Sequence, residues 1–394
     1  MLGESTVQGE PYTSRTSFTT WLEIQLRATD PSRDWDVVNC GGISYASYRL
    51  APILEECLTY EPDLFILCIG HNEFLEDRTR AKVREIPAVV RQPHVMLSEW
   101  RSYRLLQWCL GRSNPRSPAD TLVLPTEVTA RLDFRRGMEQ YQRDPEGRQS
   151  IVENYAHNLR GMLTKARAAN VPVILMQPSS NLADCPPFKS EHDPLLPPAK
   201  CRVWEQHIQQ AHECYSTSLP QAVDHLEAAT KLDPEFAQTW YELGQCYDRQ
   251  GDYRRARAAF VEARDRDICP LRMLSSLEAE LRAAATDFGV PLINAHDLLE
   301  RQSPNGILGS FLLVDHVHPS IYGHQLLANA LADEFATQGI LHRSGTWQAA
   351  RDTAYATHLN GLEPMYFLKA ERTLKRLEGW AQGRAELPSR RSAL

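Results

Sequence analysis

Four side chains of the kinds that carry out acyl transfer stand far apart in this chain, each in a turn or just after a short apolar run. Ser5 lies in LGEST, Asn72 in GHNE, and Asp315 and His318 stand three residues apart in VDHVHPSIYGH. A hydroxyl becomes a nucleophile when an imidazole takes its proton. A carboxylate must then hold the imidazole in the right tautomer, and donors must meet the oxyanion that develops. The Asp-x-x-His spacing lets a carboxylate accept from Nδ1–H on one turn, which leaves Nε2 free for the Ser5 proton. NCGGIS, residues 39–44, adds exposed backbone N–H groups, and Asn72 adds an amide donor. Each signal alone is weak, since a lone Ser5 is as well read as a turn or cap residue. The Asp-His-x-His string could also hint at a metal, yet no third ligand cluster or His-Glu-x-x-His helix accompanies it, so neither metal nor other cofactor is expected.

Such residues need a scaffold that brings them to one edge. Four short apolar runs read as parallel strands, because turn residues and a helical pattern follow each: Asp36 to Asn39, Leu64 to Ile69, Val171 to Met176 and Val290 to Ile293. Helical periodicity spans Ser17 to Arg27, Ser47 to Leu58, Ile151 to Ala169, Ser275 to Phe288 and Tyr322 to Ala336. Strand alternating with helix predicts an α/β layer whose site lies beyond the carboxyl ends of the strands.

The 394 residues exceed one ordinary domain, and 42% hydrophobic with 24% charged residues is a globular balance that excludes disordered and collagen-like chains. A net charge of -7 without a long basic run disfavours nucleic acid as a partner. No apolar run approaches the length of a membrane span. The nine cysteines are odd in number and lack a Cys-x-x-Cys pair, so they read as reduced thiols rather than a disulfide frame. MLGESTVQGEPY has no signal-peptide pattern, so the chain as it stands is expected in the cytoplasm unless an upstream segment exists.

Two excursions interrupt the strand and helix pattern. Residues 75–150 are charged and Pro-punctuated, with an amphipathic stretch at Leu97 to Leu110, and read as a surface insertion or as a lid. In the second, Trp240, Leu243, Gly244, Tyr247, Gly251, Tyr253, Ala256, Phe260 and Ala263 stand at the knob positions of a tetratricopeptide repeat. A more degenerate unit precedes it, ending at Asp233-Pro234. Two units are few for a free-standing solenoid, so this helical insertion is expected to lean on the main domain or on the C-terminal helices.

Taken in order, GEST, NCGGIS, GHNE and DHVHP resemble the blocks of the SGNH, or GDSL-type, hydrolase family, in a sub-type with an inserted tetratricopeptide repeat. The resemblance covers residues 2–74, about 150–195 and 270–338. It implies a three-layer, flavodoxin-like α/β fold and a serine esterase or deacylase that acts through an acyl-serine, without cofactor. The substrate it implies is a small acyl ester of a carbohydrate or lipid-like alcohol.

By the same resemblance Ser5 is nucleophile and oxyanion donor, and His318 and Asp315 complete the triad. The family's Asn-x-x-x-x-Gly motif begins here at Asn39. Strict register puts Ser44 in the place of the glycine whose N–H is the second donor, with Gly42 the alternative. Asn72 is the third donor, and Glu73 replaces the family's aspartate. Asn181, Lys189 and His192, in the loop after the fourth strand, are candidates to line the substrate entrance; an ordered loop leading into the repeat is the alternative.

The implied organisation is a hydrolase core over 1–199, with an insertion at about 75–150, the repeat over 200–269, the second core part over 270–340 and a helical extension over 341–394. Two other readings stay open. One is a catalytically impaired scaffold that binds a protein partner through the repeat, and the other is an O-acyltransferase using the same residues. In the family a strand runs directly into the serine, whereas only Met1 and Leu2 precede GEST here. The first strand is therefore expected to be largely missing, with Ser5 near a mobile terminus.

Overall fold

The computed structural model describes residues 1–76, 128, 130–134, 136–343 and 345–383; the Leu97 to Leu110 stretch and the C-terminal tip lie outside them. Two runs that are apolar at nearly every position, FILC and VILMQ, become the central strands β3 (Phe65–Cys68) and β4 (Val173–Gln177), buried throughout. Burial on both faces is what a parallel sheet covered by helices demands. They join β1 (Leu2–Gly3), β2 (Cys40–Gly41) and β5 (Leu292–Asn294) in an all-parallel sheet of order β2-β1-β3-β4-β5.

Alternation along the strands sorts the two layers. Phe65, Leu67, Val173 and Leu175 face a core built with helices α3 (Ser47–Cys57), α4 (Pro145–Ala168) and α9 (Ser275–Phe288). Ile66, Cys68, Ile174 and Met176 face the other core, with α2 (Phe18–Thr29) and α11 (Ile321–Thr337). On that side Trp21 is fully buried and meets Tyr355 of α12 (Trp347–Asn360) edge-on at 4.8 Å. Such an aromatic pair contributes about 0.5–1.5 kcal/mol beyond its buried area.

The first strand has only two residues, yet Leu2 pairs with both Cys40 and Leu67, and Gly3 with both Gly41 and Cys68. Its shortness also corrects the second strand. The ladder lies at Cys40–Gly41 rather than at Asp36 to Asn39, because β2 pairs only with β1, which has just Leu2 and Gly3 to meet it. Close approach explains two glycines here. A Cβ on Gly41 would stand 2.3 Å from the Gln8 backbone nitrogen, and one on Gly3 would stand 2.5 Å from the Cys68 carbonyl oxygen.

The repeat region forms two helical hairpins, α5 (Pro198–Cys214) with α6 (Leu219–Leu232) and α7 (Ala237–Gln250) with α8 (Tyr253–Asp265). Gly244 permits their close packing, since a Cβ there would meet the Phe260 ring at 2.7 Å. The unit leans on the main domain. Leu182 and Ile307 join its core, Tyr241 Oη donates to the Ala183 carbonyl at 2.9 Å, and Arg257 pairs at 2.8 Å with Glu300 of α10 (Ala295–Glu300). The C-terminal helices pack elsewhere: α12 lies on α2, and Trp380 of α13 (Pro364–Ala381) donates to Asp133. No helix of the described residues is long and apolar enough to cross a membrane.

Candidate active site

Ser5 opens α1 (Ser5–Gln8), the short helical turn that leaves the carboxyl end of β1. As the first helical residue its N–H has no carbonyl four residues back to meet, so it stays free for another acceptor. The preceding residue, Glu4, is fully buried, and its Oε1 accepts from the backbone N–H groups of Gly70 (2.8 Å), His71 (3.0 Å) and Asn72 (3.3 Å). One carboxyl group therefore ties the serine turn to the loop that follows β3. Burial pushes that carboxyl up to about 8, even though these donors favour its charged form.

Asn39 performs a similar task on the other side. Its Nδ2 donates to the Val7 carbonyl (2.7 Å) and Thr19 Oγ1 (2.8 Å), and its Oδ1 accepts from Gly41 N–H (2.9 Å). The loop beyond it carries the two candidate donors. The Gly42 N–H goes to the Gly3 carbonyl at 3.1 Å. Ser44 takes a left-handed conformation, φ 59°, which a glycine would adopt without the steric cost a side chain brings. Asn72 is seated against this loop, its Nδ2 donating to the Tyr45 carbonyl at 3.2 Å. Glu73 holds the loop to α3 by accepting from Ser47 N–H (2.8 Å) and Ser47 Oγ–H (2.9 Å), and burial pushes its carboxyl up to about 7.

The loop before α11 brings in the other two groups. His318 Nε2 lies 2.8 Å from Ser5 Oγ, and His318 Nδ1 lies 2.6 Å from Asp315 Oδ2. Asp315 Oδ1 accepts from the N–H groups of Val317 and His318, both at 2.8 Å, which fixes the carboxylate plane. Burial works against the charge on Asp315, but His318, His316 and the hydrogen bonds outweigh it and hold the carboxyl well below its ordinary range. Burial likewise lowers His318, and the Asp315 charge and hydrogen bond more than offset it, so its pKa is raised. An ionised Asp315 requires the proton on Nδ1, so Nε2 presents a lone pair to the Ser5 hydroxyl.

The remaining sequence-predicted residues are spread over a wider area. Asn181 is buried, and its Nδ2 donates to the Asp315 carbonyl at 3.0 Å while its N–H donates to the His316 carbonyl at 2.9 Å, so it braces the loop that carries the histidine. Lys189 donates to the Tyr141 carbonyl and pairs with Glu191 at 2.7 Å. His192 meets Asp233, at the end of α6, at 2.7 Å. His71 and His316 are both buried, so neither faces solvent. His71 Nδ1 accepts from Met273 N–H at 3.1 Å, and burial pushes His316 down to about 4.

Two parts of this arrangement escaped sequence reasoning. The Glu4 clamp had one faint signal, an acidic residue directly before the serine. Arg272 had none: it is buried and donates to the carbonyls of Asn181 (2.7 Å) and Cys185 (2.8 Å), supporting the brace from behind.

The described fold is an α/β structure around a five-stranded parallel sheet, with a helical region attached. Residues 215–277 match the tetratricopeptide repeat family model. No curated protein matches the chain. Among solved structures it is similar to an acetyl-xylooligosaccharide esterase from Geobacillus stearothermophilus, at 14% identity over 84% of this chain and 91% of that one, with a TM-score of 0.38. It is similar also to an alpha/beta hydrolase from the metagenome of Lake Arreo, Spain, at 15% identity over 86% and 94% of the two chains, TM-score 0.38. A protein described as a GDSL-like lipase from Parabacteroides merdae gives 14% identity over 86% and 94%, TM-score 0.38.

Proposed function

We propose that this chain is a serine ester hydrolase that works through an acyl-serine intermediate. The observation that carries the reading is the continuous chain of contacts from Ser5 Oγ through His318 to the buried, ionised Asp315, at 2.8 and 2.6 Å. In the first step His318 Nε2 takes the Ser5 proton as Oγ adds to the ester carbonyl carbon, and the carbonyl electron pair moves onto oxygen. The Ser5 N–H, the Ser44 N–H and Asn72 Nδ2 are the donors assigned to that oxyanion. Each donor of this kind is worth roughly 10²–10³ in rate. Collapse expels the alcohol, which takes the proton from His318, and water repeats the sequence to free the acid and restore Ser5.

The substrate class in this reading is a small acyl ester, such as an acetate, of a carbohydrate or lipid-like alcohol, as the resemblance implies. The core comprises residues 1–199 and 270–340, and the repeat at 200–269 offers a surface for a protein partner. The test is hydrolysis of 4-nitrophenyl acetate by the purified chain beside Ser5→Ala, with a fluorophosphonate label on both. Turnover and labelling that disappear together in Ser5→Ala support the reading. A folded chain with neither overturns it.

A further inference from the structure

A cysteine, a histidine and a buried aspartate stand in line where the loop after β4 meets the repeat. Cys201, in the second turn of α5, is partly exposed, and its Sγ lies 3.9 Å from His192 Nε2. His192 Nδ1 lies 2.7 Å from Asp233 Oδ2, and the Asp233 side chain is fully buried. A buried carboxylate on Nδ1 keeps the proton there, so Nε2 turns its lone pair toward the thiol.

The histidine is held in this pose on more than one side. Its ring lies edge-on to Trp204 at 4.7 Å and against Phe236 at 4.6 Å, and Trp204 and Phe236 touch each other at 4.7 Å. Trp204 is itself 8% exposed, and its Nε1–H is buried without a hydrogen-bond partner. The thiol also reaches a carboxylate on its own helix, Cys201 Sγ donating to Glu205 Oε1 at 4.0 Å. If the aspartate served only to close the helix hairpin, neither a ring nitrogen directed at a sulfur nor the packing of two aromatic rings on that imidazole would be needed.

We propose that Cys201 is a nucleophilic thiol, with His192 as its general base and Asp233 as the positioning residue, and that it takes small disulfides by thiol–disulfide exchange. His192 Nε2 accepts the S–H proton as Sγ attacks one sulfur of R–S–S–R. The S–S bond breaks, R–S⁻ leaves and collects the proton from His192, and the products are the mixed disulfide at Cys201 and one R–SH. Charge stays on sulfur throughout, so no oxyanion hole is required. The adduct would lie beside Trp204 and Glu205, which border a depression continued along α5 by Ile208 and His212.

Cys214 is the internal control, since it is also partly exposed but its Sγ faces Gln221 Oε1 at 3.8 Å instead of an imidazole. The experiment treats the folded full chain with 5,5′-dithiobis(2-nitrobenzoic acid) and, separately, oxidised glutathione at neutral pH, with peptide mapping to give the rate at each cysteine. Cys201 is expected to react about tenfold faster than Cys214, below the usual worth of a general base because the contact is long. In His192→Asn the Cys201 rate should fall to that of Cys214, with Cys214 unchanged. Equal rates at the two cysteines in the unaltered chain overturn the proposal, as does an unchanged Cys201 rate in folded His192→Asn. If that variant does not fold, the comparison in the unaltered chain decides. Ser5 is not involved, so these outcomes are independent of the esterase test.

Discussion

Replacing Asp315 by asparagine should damage catalysis more than its small change in shape suggests. Asp315 Oδ1 accepts two backbone N–H groups at 2.8 Å, and Oδ2 faces His318 Nδ1 at 2.6 Å. In Asp315→Asn the amide oxygen must stay with the two N–H donors, because turning the NH₂ toward them would set donor against donor. The NH₂ then points at Nδ1, which has to become an acceptor, so the proton moves to Nε2, where it blocks uptake of the Ser5 proton. The variant also loses the charge that stabilises the imidazolium in the transition state. Two unit charges about 4 Å apart at an effective dielectric near 20 are worth roughly 4 kcal/mol, or about a thousandfold in rate. The assay is kcat/KM for 4-nitrophenyl acetate at neutral pH, with circular dichroism to confirm folding. Asp315→Asn should retain no more than about a thousandth of the parent value. Asp315→Ala, which leaves room for water to accept from Nδ1–H, should retain more than Asp315→Asn, and more than Ser5→Ala or His318→Ala. A folded Asp315→Asn that keeps a tenth of the activity, or that outperforms Asp315→Ala, refutes the tautomer argument.

Three further expectations concern the scaffold. Ser44→Gly should raise the thermal midpoint, because it removes a left-handed strain of about 1–2 kcal/mol at φ 59°, and should leave kcat intact because the assigned donor is a backbone N–H; a large loss of kcat would assign the role to the side chain instead. Burial lifts Glu73 to about 7 and Glu4 to about 8, so between the ordinary glutamate value of 4.5 and about 8 the folded chain binds protons that the unfolded chain has released. Their contribution therefore makes stability fall as pH rises through that window, and Glu4→Gln should flatten its upper part in urea denaturation measured at several pH values; an unchanged slope would mean that Glu4 is ionised in the fold throughout. Gly41→Ala places a Cβ 2.3 Å from the Gln8 backbone nitrogen, which no rotamer relieves, so soluble yield and thermal midpoint should both drop sharply; a midpoint within a few degrees of the parent would show that the β1 turn is free to move.

The legible parts of this protein are those whose information is local. FILC and VILMQ announce buried parallel strands because apolarity on both faces is a property of the run itself. The pattern from Trp240 to Ala263 announces a helical hairpin because its small and large residues recur at helical spacing. Asp315 and His318 share one turn, so their pairing also follows from spacing. The second strand is less legible, because Val37 and Val38 are the apolar residues of that stretch while the partner strand meets Cys40 and Gly41.

By itself, then, the sequence determined the alternating α/β layers, the helical repeat and the residue types able to perform acyl transfer. Tertiary structure alone decided which of those residues meet. Ser5 reaches His318 across 313 positions, Glu4 closes on Gly70 across 66, and Asn181 reaches the Asp315 carbonyl across 134. His192, between Asp233 and Cys201, turns out to belong to the repeat junction. Contacts of this kind carry no periodicity that a window of residues could display. They arise when burial of two separate cores sets the strand order, and with it the loops that share the carboxyl edge of the sheet.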